Sequence, residues 1–230
     1  MPDSSGIDPT KNPPHLVTPE GAVHVDKAEG QFGDKVAIAG FSVSNFGIFA
    51  SSDKDIGLVA KGGKLAAQFN GDVEVTGDCV HHGNIDCHGD MNFVNADCAE
   101  QFDIVEGLSI EPGTVMVLDN DGTVCPSRSA YDQRVAGVVS GAGDYRPALT
   151  LDTRQTSRER LPVALMGKVY CRVDATQTPI QVGDLLTTSP TEGHAMKASD
   201  PLKAFGAVIG KALQAFSDGQ GIIPILVTLQ

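Results

Sequence analysis

Tryptophan is absent from this 230-residue chain, tyrosine occurs three times, and aromatics together make up 5%. A carbohydrate-binding module stacks exposed aromatic rings on sugars, so this scarcity argues against one. Basic residues are also few. Lys and Arg number 17 against 29 Asp and Glu, a net charge of -12. Such a surface repels phosphate, which disfavours nucleic acid and anionic lipid as partners. The basic cluster Arg154, Arg158 and Arg160 is interrupted by acid and reads as a solvated loop. No apolar run reaches the length of a membrane span. Met1 to Thr10 shows no basic stretch leading into an apolar one, so synthesis in the cytoplasm without a signal peptide is expected. The cysteines (Cys79, Cys87, Cys98, Cys125, Cys171) are odd in number and widely spaced, unlike a secreted disulfide framework. There is no HExxH, no nucleophile elbow and no phosphate-cradling glycine loop.

What is abundant is glycine, at 26 residues, with charged residues at only 20%. This is the profile of an all-β protein of strands and turns rather than of a helical bundle. Residues 1–28 are polar and carry Pro2, Pro9, Pro13, Pro14 and Pro19. They read as an extended arm or linker, or as a tail without fixed structure.

Two repeats organise residues 29–98 into an expected shaft. In the first, of ten residues, Val36–Gly40 aligns with Phe46–Ala50, with Ile56–Ala60 and more loosely with Ala66–Asn70. Each is a short strand with a small residue at its second position. The second repeat has a period of six: Gly71, Gly77, Gly83 and Gly89, each followed by Asp or Asn. Third positions are Val73, Cys79, Ile85 and Met91, and fifth positions are Val75, His81, Cys87 and Phe93. Alternation along a strand puts these on one face, which is apolar except at His81. A single-chain β-helix uses about three hexads per coil and needs at least roughly three stacked units, so four hexads cannot cover their own apolar face. Three chains around a common axis would cover it, giving a trimeric β-prism or β-helix shaft. The alternative is a monomeric sheet packed on the C-terminal domain.

From Ala99 to Gln230 the repeats stop. Thr114–Leu118 and Thr123–Cys125 flank the turn Asp119–Gly122, and further strands are expected at Arg134–Ser140, Leu161–Leu165, Lys168–Val173, Leu185–Thr188, His194–Ala198 and Ile222–Val227. A short helix is expected near Pro201–Phe205, and Leu151–Arg160 as an exposed loop. Many short strands joined by glycine-rich turns argue for a compact β-barrel or sandwich.

The segment Phe69–Asp78 resembles repeats of trimeric phage tail-fibre proteins and related bacterial fibre-like proteins. The segments Asp97–Asp103, Arg134–Ser140 and Pro162–Val169 are similar to the C-terminal intramolecular-chaperone domains of phage neck appendages and tail spikes. The two resemblances cover roughly residues 35–230. They imply a homotrimer whose C-terminal domain aligns three chains before the shaft zips, and some members of the second group cut themselves off afterwards. Register is weakly specified in glycine-rich repeats that look alike at each step, so a globular end that fixes alignment removes misregistered states.

The expected role is therefore structural: a fibre or spike of a phage or a phage-derived particle such as a contractile injection system. The arm would meet the particle platform and the tip a surface receptor. The expected trimer interface is Val73, Val75, Cys79, His81, Ile85, Cys87, Met91 and Phe93. On a three-fold axis the imidazoles of His81, with Cys79 and Cys87 on the same face, have the chemistry to hold a transition metal; otherwise no cofactor is expected. Three buried neutral histidines paired with carbonyls or water fit the same pattern. For self-cleavage, Glu100, Asp103 and Ser109 lie at the shaft–tip junction, where ordinary polar linker residues are the other reading. Ser189 and His194 flank a turn without a third, orienting group.

Overall fold

The computed structural model describes Leu58, Ala60, residues 65–105, Gly107 and residues 109–228, with the backbone of two short N-terminal strands. Most of the arm and the ten-residue repeats from Val36 to Ala60 lie outside the described residues. The chain divides into two units, Met1–His82 and Gly83–Gln230. In the first, β1 (Ile7–Asp8) pairs antiparallel with β2 (His15–Leu16).

The second unit is nearly all β. Its strands are β3 (Asp97–Asp103), β4 (Val115–Leu118), β5 (Val124–Pro126), β6 (Val135–Val139), β7 (Pro147–Leu151), β8 (Arg160–Asp174), β9 (Leu185–Thr188), β10 (Ala195–Lys197), β11 (Val208–Ala212) and β12 (Gln220–Thr228). The one helix among the described residues, α1 (Pro201–Ala204), is a single turn. Asp200 caps it by accepting from the N–H of Leu202 at 3.0 Å, and Pro201 starts it because no N–H is needed there.

Strands β10, β9, β11, β12 and the C-terminal half of β8 are neighbours in that order, and β8 closes the ring on β10 at Val173 and Ala195. The result is a five-stranded barrel. Its interior is dictated by the period of two: Val169, Cys171 and Val173 of β8 and Ile223, Ile225 and Val227 of β12 point inward and are fully buried. The N-terminal half of β8 leaves the barrel and is flanked by β3 and β6, with β4 and β5 beyond β6. Ile104, Met116, Val124, Val139 and Val163 form a second core there.

The sequence pattern predicts two strands either side of Met166–Gly167, but β8 runs through both as one 15-residue strand. Gly167 explains this. Its φ of +104° is open only to glycine, and a Cβ there would lie 2.6 Å from the Ala96 carbonyl oxygen. The glycine bends the strand and lets β3 approach without ending the ladder. The hairpin β4–β5 forms as expected, with Leu118 opposite Val124 and Gly122 at φ +72°. Strands β3, β7 and β11 were not anticipated; Glu100 and Asp103 thus sit in a strand rather than a connecting segment.

Candidate functional site

The hexad glycines behave as turn residues: the chain bends at Gly71, Gly77, Gly83 and Gly89. Residues 65–94 contain no strand within the single chain, so the β-prism or β-helix shaft is not seen. The physical reason is that an extended hexad bonds its N–H and C=O groups only to a neighbouring strand, and one chain supplies none here. Large apolar side chains of the stripe lie open to solvent: Val73 58%, Val75 57%, Ile85 61%, Met91 60% and Phe93 53%. Cys79, His81 and Cys87 are exposed as well, and Cys87 Sγ lies 3.3 Å from the Gly89 carbonyl oxygen. Among the described residues of one chain, no group of three His, Cys, Asp or Glu side chains gathers to hold a metal.

The three junction residues are dispersed by the fold. Glu100 lies half-buried on β3, opposite Leu151 of β7. Asp103 ends β3 and pairs with Arg160, whose Nε is 2.8 Å from Asp103 Oδ1. The same guanidinium donates to the Gln101 and Asp152 carbonyl oxygens at 2.6 Å each, so it staples the loop after β7 to β3. Ser109 lines a cleft with Glu111, Arg172 and Glu192.

A different carboxylate is the buried one. Asp97, the first residue of β3, is 3% exposed, and its Oδ2 accepts from Ser140 Oγ at 2.8 Å. Ser140 follows β6 and is equally buried. The other oxygen of Asp97 has no hydrogen-bond partner among the described residues. Burial pushes the Asp97 carboxyl above its ordinary value, and the Ser140 hydroxyl pulls it only part of the way back. A buried carboxyl with a raised pKa next to a hydroxyl, at the start of the domain, thus has the properties sought in Glu100 and Asp103. Sequence reasoning passed over it because it required β3, whose alternation buries Asp97 and Ala99 and turns Cys98 and Glu100 outward.

Asp174, at the end of β8, is the other well-buried carboxylate, and its environment is opposite. Burial raises its pKa, but bonds from Thr176 and Thr191 outweigh that, and the group ends below its ordinary value. It accepts from Thr176 N at 2.9 Å and Thr176 Oγ1 at 2.6 Å, and also from Thr191 Oγ1. These bonds tie two loops to the barrel end. Beside it lies a polar cavity of about 160 Å³ lined by Tyr131, Gln177, Ser189, Lys197 and Ser199 among others. The Ser189 and His194 side chains are each engaged elsewhere: Ser189 Oγ accepts from Thr191 N at 3.1 Å, and His194 Nδ1 lies 2.6 Å from the Glu192 carbonyl oxygen.

No family model matches this chain, and no curated protein does. Among solved structures, the C-terminal fragment of bacteriophage phi29 gene product 12 aligns with 57% of this chain and all of its own length, at 17% identity and a TM-score of 0.39. The pre-mature form of that gene product aligns over 64% of this chain and 24% of its own, at 17% identity and a TM-score of 0.44. The base of the phi29 head fibre gp8.5 aligns over 58% of this chain and 90% of its own, at 16% identity and a TM-score of 0.26. Likeness at this level carries no argument about function. No helix among the described residues is long and apolar enough to cross a membrane.

Proposed function

We propose that this protein is a structural subunit of a phage or phage-derived particle, a homotrimeric fibre or spike, and not an enzyme acting on an outside substrate. One observation carries the reading: the chain holds a folded barrel domain but leaves a periodic apolar stripe, Val73 to Phe93, without cover. Five large apolar side chains at over half their maximal exposure are a cost in water that two neighbouring chains would remove. In this reading the hexads become strands when three copies meet, residues 1–28 hold the particle platform, and the barrel domain sets register and faces the receptor. A transition metal at His81, with Cys79 and Cys87, belongs to the same assembly and needs all three chains.

Light scattering on the full chain tests this. The expected mass is three times 24.0 kDa. A monomer at micromolar concentration rejects the fibre, as does a stripe that still exchanges its amide hydrogens freely in the assembled form.

A second reading, self-cleavage at the junction, is favoured by Asp97. Its carboxyl is buried, its pKa is raised toward the range in which a carboxyl serves as general acid or base, and Ser140 Oγ is hydrogen-bonded to it. Mass spectrometry of purified protein separates the readings, because an intact 24.0 kDa chain that persists for days excludes cleavage.

A further inference from the structure

We infer that the outer face of β7, β3 and β8 is the surface by which the barrel domain meets a second copy of this chain. The inference rests on the trimeric reading and adds where, on the C-terminal domain, the chains touch.

The ladder registers define the face. Leu149 of β7 stands opposite Cys98 of β3, and Cys98 stands opposite Met166 of β8. Directly opposed residues share a face, so these three make one row across three strands. Leu151 lies two residues further along β7, opposite Glu100, and therefore on the same side. Met166 is 62% exposed, Leu149 44% and Leu151 43%, while Cys98 is half-buried between them. These are apolar side chains that the domain's two cores do not use.

The edge beside them is equally open. Among the described residues β7 pairs with β3 alone, so its other side is a strand edge. Strand edges of soluble proteins are commonly guarded by lysine, by inward charge or by a bulge. Pro147-Ala148-Leu149-Thr150-Leu151 carries no lysine and no inward charge; its guards, Pro147 and an irregular register at Ala148, are confined to its first two positions and leave Leu149 to Leu151 regular.

Chain continuity identifies the occupant. Phe93, the last residue of the exposed stripe, is five residues before Cys98. Five residues span at most about 18 Å, so a neighbour covering Phe93 stands within reach of the row. An unrelated partner would have to displace that neighbour or fit beside it. A second copy needs neither, since the same body that covers the stripe continues over β3. Three-fold contacts are heterologous, so the row meets a different patch of the next chain and the ring closes without leaving a free edge.

The test uses the native full-length protein, with peptide mapping by mass spectrometry to read the labelling of each cysteine separately. Cys171 is an internal blank, because burial raises its pKa and keeps it inert. Cys98 then reports the face through its rate of maleimide labelling, alongside the mass from light scattering. The comparison chain carries Leu149→Gln and Met166→Gln, both on exposed side chains and both uncharged so that the Cys98 thiol keeps its reactivity, with Val182→Gln on another exposed residue as the control. We expect a trimer in which Cys98 labels on the order of tenfold slower than in the Leu149→Gln, Met166→Gln chain, with Val182→Gln unchanged. If the glutamine pair disturbs the circular dichroism spectrum, Leu149→Ser with Met166→Ser replaces it. A trimer whose Cys98 labels as fast as in the changed chain overturns the interface and leaves the trimer standing. A monomer in the unchanged chain overturns both.

Discussion

Ser140→Ala isolates the buried pair at the start of β3. Among the described residues the Ser140 hydroxyl is the sole side-chain partner of the Asp97 carboxyl, whose other oxygen has none, in a site 3% exposed. Removing the hydroxyl leaves a buried acceptor bare, which costs about 1–3 kcal/mol. For a domain of this size, roughly 3–5 °C of Tm accompanies each kcal/mol, so a fall of roughly 3–15 °C is expected. The pH dependence is more discriminating. Because the folded-state pKa of Asp97 is raised, its contribution to stability is complete below the unfolded value of about 3.9 and is lost as pH rises through the folded-state value. The native chain should therefore lose Tm relative to Asp97→Asn as pH rises from about 4 through the raised folded-state value. Ser140→Ala should extend that loss to higher pH, since the bond that lowers the pKa is gone. Thermal melts by circular dichroism at one protein concentration measure all three chains, because assembly would otherwise shift Tm by mass action. A Tm difference between native and Asp97→Asn that is flat with pH, or that reverses, refutes the reasoning.

Ile85→Asp should abolish the trimer while leaving the barrel's melting unchanged, as three like charges would converge where a stripe is to be covered; light scattering reads the mass. Ile223→Ala empties part of the barrel core and should cost about 2–5 kcal/mol, measured by urea denaturation. Gly210→Ala should prevent a stable barrel altogether, because a Cβ there would sit 2.0 Å from the Leu226 carbonyl oxygen, at a bulge where β9 and β12 both press on β11. A soluble, cooperatively melting Gly210→Ala domain would show that the strands have room to spread.

Legibility in the sequence tracked how local each signal was. The β4–β5 hairpin was readable because Asp119–Gly122 holds both its turn residues and its flanking alternation. The four-residue helix was readable from Asp200-Pro201. Barrel closure was not, since it depends on Val173 meeting Ala195 across 21 intervening positions of unremarkable composition. Strand β3 was hidden for a different reason: Asp97, Glu100, Gln101 and Asp103 make it polar, and only its pairing with β8 shows which of these acids is buried. The stripe was legible as a repeat, and its exposure in one chain follows from its brevity. Neither acid proposed at the junction holds the buried position, because burial at a strand start is decided by parity, which a polar segment does not display.

The length of β8 sets an order of events during synthesis. β3 finds its partner 57 to 70 residues downstream, and the barrel closes only when β12 has emerged. From Phe93 to Thr228 is 135 residues, which a ribosome delivers in roughly 7–27 s at about 5–20 residues per second. Throughout that interval the greasy hexads of each nascent chain are outside the tunnel with no finished domain to align them. Polysomes carrying several such chains are where wrong pairings between hexads would arise, and a chaperone that holds extended apolar segments would act in that window.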